Sequence, residues 1–372
     1  MITDGIGLYI HVPYCIRKCK YCDFCSLQGC GSVPDDYIDA LLKEADSYSD
    51  KAPIKVSTVY FGGGTPSLLH PDQLSRIMDS LSKVFDFSFV EEFTVEANPG
   101  TVSFEKLAGY KKAGVNRISL GLQSFHDNEL KLLGRIHTSD DFIKTYFMCR
   151  EAGFENVSID LMYGIPDQTI QSFNQTLRQA VELRPEHISV YGLIVEEGTP
   201  FYEARETFNL PTEDDEVRMY EAACALLSEN GYSHYEISNY SLAGMESKHN
   251  LKYWRNQNYI GLGAAAHSYF CGMRYGNLPD VHRYILEGAI RTEEEIVDKE
   301  TEQFEYGMMG LRLREGISLS EYEALFGKSF LSENEAKIKS FVQNGLVVVE
   351  DGRIFLTDRG FYLSNTVMSE LL

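Results

Sequence analysis

Six short runs rich in β-branched and aromatic residues recur at long intervals between residues 7 and 194, and this spacing constrains the fold more than any other feature. They are GLYIHV (7–12), STVYFG (57–62), EFTVEA (92–97), NRISLGL (116–122), NVSIDLMYG (156–164) and HISVYGLI (187–194). Segments with helical periodicity separate them. In PDDYIDALLKEADSYS the apolar residues Tyr37, Ile38, Leu41, Leu42 and Ala45 share one face. PDQLSRIMDSLSKVF, SFEKLAGYKKAG, SDDFIKTYFMCREAG and TIQSFNQTLRQAVEL follow the same logic, and several end at glycine or before proline, as helix stops do. Strand alternating with helix predicts a parallel sheet of βαβ units. Six units predict a partial, TIM-like (β/α)6 barrel, in which function sits at the C-terminal ends of the strands. A cysteine loop follows the first run and GGGTP the second; Glu96 ends the third, Gln123 the fourth, and Asp160 lies in the fifth.

The pattern changes after residue 200. TEDDEVRMYEAACALLSENGY reads as one long helix, and an aromatic, glycine-rich stretch runs from Tyr232 to Tyr275. Further on, TEQFEYGMMGLRL, SLSEYEALFG and SENEAKIKSFVQNG read as helices. VVVEDGRIFLT reads as a hairpin turning at Asp351 and Gly352, and DRGFYLSNTVMSELL as a single last helix. Helices followed by a small hairpin predict a winged-helix-like unit. Its mixed charge favours protein contact or a lid over DNA binding. The expected division is a barrel core over 1–235, an aromatic and glycine-rich linking region over 236–290, and the C-terminal unit over 291–372.

Net charge is −21, from 34 Lys+Arg against 55 Asp+Glu, which disfavours nonspecific binding to nucleic acid or anionic membranes. No basic leader with a long apolar run opens the chain, and no apolar stretch approaches the roughly 20 residues of a membrane span. A cytoplasmic protein is expected, touching membranes only through partners. Thiols stay reduced there, so clustered cysteines point to metal or redox chemistry rather than disulfides. Cys149 and Cys224, in helical patterns, read as packed thiols.

The stretch HVPYCIRKCKYCDFCS carries Cys15, Cys19, Cys22 and Cys25, with Cys30 just beyond. Three thiolates on a short loop can hold three corners of a cubane iron–sulfur cluster, leaving one iron open to a small molecule. A zinc site would want a second ligand pair roughly 12 to 20 residues on, and none is present. The four clustered cysteines closing a zinc site themselves is the remaining alternative. The glycines of GGGTP allow a ligand to approach backbone closely, or make a tight turn.

C-x3-C-x2-C with Tyr21 before the last cysteine resembles the signature of the radical S-adenosylmethionine (SAM) superfamily. That resemblance implies a [4Fe-4S] cluster on Cys15, Cys19 and Cys22, its fourth iron chelated by SAM, whose reductive cleavage yields a 5′-deoxyadenosyl radical. GLYIHVPYCIRKCKYCDF together with FGGGTPS is similar to the oxygen-independent coproporphyrinogen III oxidase group. By that resemblance Gly63, Gly64 and Thr65 contact the methionyl part of SAM. Tyr9 faces SAM, Tyr21 packs near its adenosyl end, Arg135 suits its carboxylate and Asp160 its ribose hydroxyls; Glu96 and Gln123 complete the set. On residue chemistry alone, each is equally a buried polar group in a network at the barrel top.

Two features resemble the haem-chaperone branch of this group, the HemW family, rather than the oxidases. Phe24 stands where the oxidases carry a further cysteine, two residues after the third, which leaves Cys25 as an extra thiol. The second is H-N-x-x-Y-W at His249, Asn250, Tyr253 and Trp254, the chain's only tryptophan. The resemblance implies haem as cargo, respiratory haem proteins as acceptors, and His249, or more weakly His267, as the haem ligand. Residue chemistry alone prefers an aromatic cluster with His249 satisfied by a hydrogen bond. The alternative function is coproporphyrinogen III dehydrogenation by radical SAM chemistry. A homodimer is compatible with either.

Overall fold

The computed structural model describes residues 5–371. The six runs form β1 (Ile6–Val12), β2 (Ile54–Gly63), β3 (Glu92–Ala97), β4 (Arg117–Gln123), β5 (Asn156–Tyr163) and β6 (His187–Gly192), parallel and adjacent in chain order. The crossovers carry α1 (Asp35–Asp46), α2 (Pro71–Leu81), α3 (Phe104–Lys112), α4 (Asp127–Leu133), α5 (Ser139–Glu151) and α6 (Ile170–Glu182). Local chemistry starts and stops them. Thr138 and Thr169 cap α5 and α6 by accepting from the Asp141 and Ser172 amides. Gly134, at φ 79°, ends the short helix α4.

The period of two along each strand separates shell from cavity. Leu8 and Ile10, Val59 and Phe61, Ile118 and Leu120, Val157 and Ile159 are buried in one apolar cluster with the helices. The alternate residues, among them Tyr60, Glu96, Ser119, Asp160 and Ser189, point inward around a cavity. Register aligns them: Glu96 lies opposite Ser119, and Asp160 opposite Ser189.

The sheet continues past both sides of these six strands. After α7 (Glu213–Glu229), β7 (Ser233–Glu236) and β8 (Asn239–Ser241) extend it antiparallel beyond β6. After α8 (Lys248–Trp254), β9 (Tyr259–Leu262) pairs parallel with β1, followed by antiparallel β10 (His267–Phe270), β11 (Met273–Asn277) and β12 (Arg291–Ile296). Helix α9 (Val281–Glu287) precedes β12. The aromatic, glycine-rich stretch is therefore strand and helix on both sheet edges. Its strands of three to five residues are too short for an alternation to register.

The C-terminal unit holds α10 (Lys299–Gly310), β13 (Ile317–Ser318), α11 (Leu319–Phe326), α12 (Phe330–Glu333), α13 (Glu335–Gln343), β14 (Val347–Glu350), β15 (Arg353–Leu356), α14 (Asp358–Tyr362) and α15 (Ser364–Leu371). Leu311, Ile317, Tyr322, Phe330, Ile354 and Leu356 form its separate core. The hairpin turns on Asp351 (φ 48°) and Gly352 (φ 73°), the paired positive φ of a type I′ turn. The last segment is two helices, not the single one expected, because Leu363 (φ −96°, ψ 22°) leaves helical geometry.

Candidate functional site

A cavity of about 400 Å³ opens inside the barrel, between the cysteine loop and the inward strand residues. A larger one, about 700 Å³, lies between Ser57 and Thr58 of β2 and Arg314 of the C-terminal unit; it contains no cysteine. The three expected cluster cysteines and, Tyr9 apart, the residues expected to contact SAM line the smaller one.

The cysteine loop leaves β1 and is clasped at its base, where Tyr14–Cys15 pairs with Leu27–Gln28 and the Cys30 amide donates to the Cys15 carbonyl at 3.0 Å. The Lys20 amide donates to the Leu133 carbonyl at 3.0 Å, tying the loop to the end of α4. Cys15, Cys19 and Cys22 all line the cavity. Burial pushes the Cys15 thiol up and the Cys22 thiol to about 11, with the nearby Cys19 sulfur adding to both shifts. The electrostatic neighbours of the Cys25 thiol are instead Lys18 and Asp280, and Cys25 does not line the cavity. Phe24 does, although 61% exposed.

Among the described residues, no three His, Cys, Asp or Glu side chains are gathered to hold a single metal ion. A cubane takes one thiolate per iron, so its ligands stand apart around a cavity rather than converging on one centre. Three soft thiol donors beside an open chamber fit that requirement.

The polar wall faces these thiols. Glu96 accepts from the Tyr60 hydroxyl at 2.7 Å and from the Gly63 amide at 3.3 Å, and burial raises its carboxyl to about 7. Asp160 accepts from the Ser119 hydroxyl at 3.3 Å, and its carboxyl is also raised by burial. Gln123 takes φ 73° at a register shift between β4 and β5, a left-handed geometry unusual for a side-chain-bearing residue and one that gathers at functional sites. Arg135 donates to the Cys19 sulfur at 3.4 Å, and Thr65 to the Cys15 sulfur at 3.5 Å. Tyr21 lines the cavity with its ring 6.5 Å from Phe201.

Gly63 and Gly64 also line the cavity, and packing against β1 explains why both are glycine. At Gly63 (φ 112°) a Cβ would lie 2.6 Å from the His11 ring; at Gly64 it would lie 2.9 Å from Tyr14 backbone. Tyr9 is the expected residue that the cavity leaves out. It shares the inward face with its register partner Tyr60, but its hydroxyl is hydrogen-bonded to His11 Nδ1 at 3.0 Å and its ring packs on Tyr60; of the two, Tyr60 lines the cavity.

Several lining residues escaped the sequence reading: Asn98, Arg117, Ser119, His187, Ser189 and Tyr191. Alternation along β4 and β6 carried the signal for Arg117, Ser119, His187, Ser189 and Tyr191, once one inward residue per strand was known. Asn98, two residues past Glu96, carried none.

The two haem-ligand candidates differ in access. His249 is 1% exposed, with Nδ1 hydrogen-bonded to Thr58 Oγ1 and Nε2 to the Tyr253 hydroxyl, each at 2.8 Å. Its ring stacks on Tyr60 at 5.1 Å, and burial holds its pKa down near about 3. Both nitrogens are engaged, so iron ligation by His249 requires breaking one of these bonds. The hydrogen-bonded aromatic cluster preferred on residue chemistry is the arrangement present. The motif residue that reaches the cavity is Asn250. His267 is exposed on β10, its ring lying over Gly276 with no hydrogen-bond partner among the described residues.

Comparison with known proteins agrees with this geometry. A family model described as the radical SAM superfamily matches residues 9–180, and one described as the HemN C-terminal domain matches residues 297–363. The first match implies a [4Fe-4S] cluster and SAM. Among curated relatives, "Heme chaperone HemW" of Lactococcus lactis is 39% identical, with 100% of this chain and 98% of the relative covered. "Heme chaperone HemW" of Bacillus subtilis is 38% identical, with 98% of each covered. Among solved structures, coproporphyrinogen III oxidase (HemN) from Escherichia coli aligns with a TM-score of 0.84 at 23% identity, covering 98% of this chain and 90% of that one, a likeness of fold. Among the described residues no helix is long and apolar enough to cross a membrane. With the three cavity-lining thiols, the barrel around them and relatives aligned along its whole length, the chain belongs to the HemW family of the radical SAM superfamily.

Proposed function

We propose that this chain binds haem and delivers it to respiratory haem proteins, and that it carries a [4Fe-4S] cluster on Cys15, Cys19 and Cys22 together with SAM. The observation that carries the reading is end-to-end similarity to proteins named heme chaperone, at 39% identity over the full chain. Phe24, at the position where the oxidases carry a further cysteine, supports it. When bound, cluster and SAM supply one-electron reductive chemistry. The protein's own part is to seat them: Thr65 and Arg135 donate to two of the sulfurs, and Glu96 and Asp160 present carboxylates to the cavity. Handing over haem is an exchange of axial ligands and calls on no radical. A neutral imidazole with a free nitrogen suits that exchange, and His267 has the accessible ring. Membrane contact comes through the acceptors.

Haemin titration into anaerobically reconstituted protein tests this. A stoichiometric Soret band is expected, weakened several-fold by His267→Ala and retained in folded His249→Ala. Cluster-loaded protein that gives no such band, yet converts coproporphyrinogen with dithionite and SAM, overturns the reading in favour of the dehydrogenase.

A further inference from the structure

We propose that Asn98 is a positioning residue whose one carboxamide aims two separate donors at two cluster cysteines. The inference rests on the assignment of Cys15, Cys19 and Cys22 to the cluster. Asn98 Nδ2 donates to Thr65 Oγ1 at 3.1 Å. That hydroxyl has a single proton, and having accepted from Asn98 it spends the proton on Cys15 Sγ at 3.5 Å. On its other side, Asn98 Oδ1 accepts from Arg135 Nη2 at 2.5 Å. The same nitrogen donates to the Gly121 carbonyl at 2.7 Å, so the guanidinium is pinned with Nη1 on Cys19 Sγ at 3.4 Å.

A carboxamide offers a donor and an acceptor on one planar fork whatever the pH, which an ionised carboxylate does not. An aspartate at position 98 would leave Thr65 without its orienting donor, and an aliphatic residue would release both arms. Asn98 is itself held by its backbone: its main-chain N–H donates to Ser67 Oγ at 3.4 Å, and its main-chain carbonyl accepts from the Thr101 amide at 3.1 Å and hydroxyl at 2.6 Å. Cys22 lies outside this network and is served by the Phe24 backbone. Hydrogen bonds to cluster sulfurs stabilise the reduced, more negative state and raise the potential, and partners behind the ligands set their geometry. Asn98 thereby acts on two corners of the cluster at once.

The test is the cluster midpoint potential, read by EPR-monitored redox titration of full-length reconstituted protein, with iron per chain measured alongside. Thr65→Val removes one arm and is expected to shift the potential negative. Asn98→Leu removes the hold on both arms and is expected to shift it further. Adding Thr65→Val to Asn98→Leu is expected to add less than it does alone, because both act through one hydroxyl. Thr65→Val with wild-type iron content and an unmoved potential overturns the proposal even if Asn98→Leu fails to load. Full additivity of the two shifts also overturns it. Wild-type protein that takes up no iron and sulfide fails the underlying cluster assignment instead.

Discussion

His249 and Glu236 are both sealed from water, and each makes stability depend on pH in the opposite sense. His249 stays neutral when folded, its pKa held near about 3 by burial, against 6.5 when exposed. Below pH 6.5 the unfolded chain takes up a proton that the folded one refuses, so this contribution is lost as pH falls. His234, held near about 3, and His137, near about 4, behave alike. Glu236 has one carboxylate oxygen without a partner, and burial raises its carboxyl from 4.5 to about 7. The folded state there holds the extra proton, so stability is lost as pH rises from 4.5 towards 7. Glu236→Gln is expected to stabilise by about 1–3 kcal/mol at pH 8 and hardly at all at pH 4.5, measured by thermal unfolding across pH. His249→Ala empties a packed site and strands the Thr58 and Tyr253 hydroxyls. A loss of about 3 kcal/mol in chemical denaturation is expected.

At the scale of elements, α8 shows how a short helix is held from outside. It has seven residues, too few to persist alone. Glu92, at the start of β3, reaches across to its N-terminus and accepts from the Lys248 amide at 2.8 Å and the His249 amide at 3.1 Å. A carboxylate at that end satisfies orphan donors and the helix dipole together. Glu92→Gln keeps the shape and removes the charge. It is expected to cost about 1–2 kcal/mol in urea unfolding, with an unchanged slope. This cap joins residues more than 150 positions apart, so no local pattern announced it. The six barrel strands and most of their helices were legible because each carries its own period over five residues or more. β7 to β11 were not, being short, in two cases interrupted by glycine, and stabilised mainly by the sheet they join.

Across the whole molecule, two apolar cores meet along a polar seam. Arg314 donates to His234 Nδ1 of β7 at 2.8 Å, Arg255 pairs with Glu315 at 3.1 Å, and the Arg312 guanidinium lies 5.1 Å from the Trp254 ring. The only tryptophan thus reports on the docking of the C-terminal unit. Arg314→Ala is expected to red-shift Trp254 emission at urea concentrations below those that unfold the barrel by circular dichroism. Coincident transitions in the variant would count against a separately loosened seam.

The three cavity-lining thiols, the glycine run and the strand-end polar residues could be picked out in the chain because their patterns are local. Spacing on one loop sets which thiols share a ligand, and backbone geometry sets strand and helix periods wherever they run far enough. What only the tertiary structure decided are the partners: Tyr9 turned to His11 and Tyr60, His249 turned to Thr58 and Tyr253, and Asn98 between Thr65 and Arg135. Those choices depend on register and packing between elements distant in sequence, where a one-residue slip exchanges the inward face for the outward one.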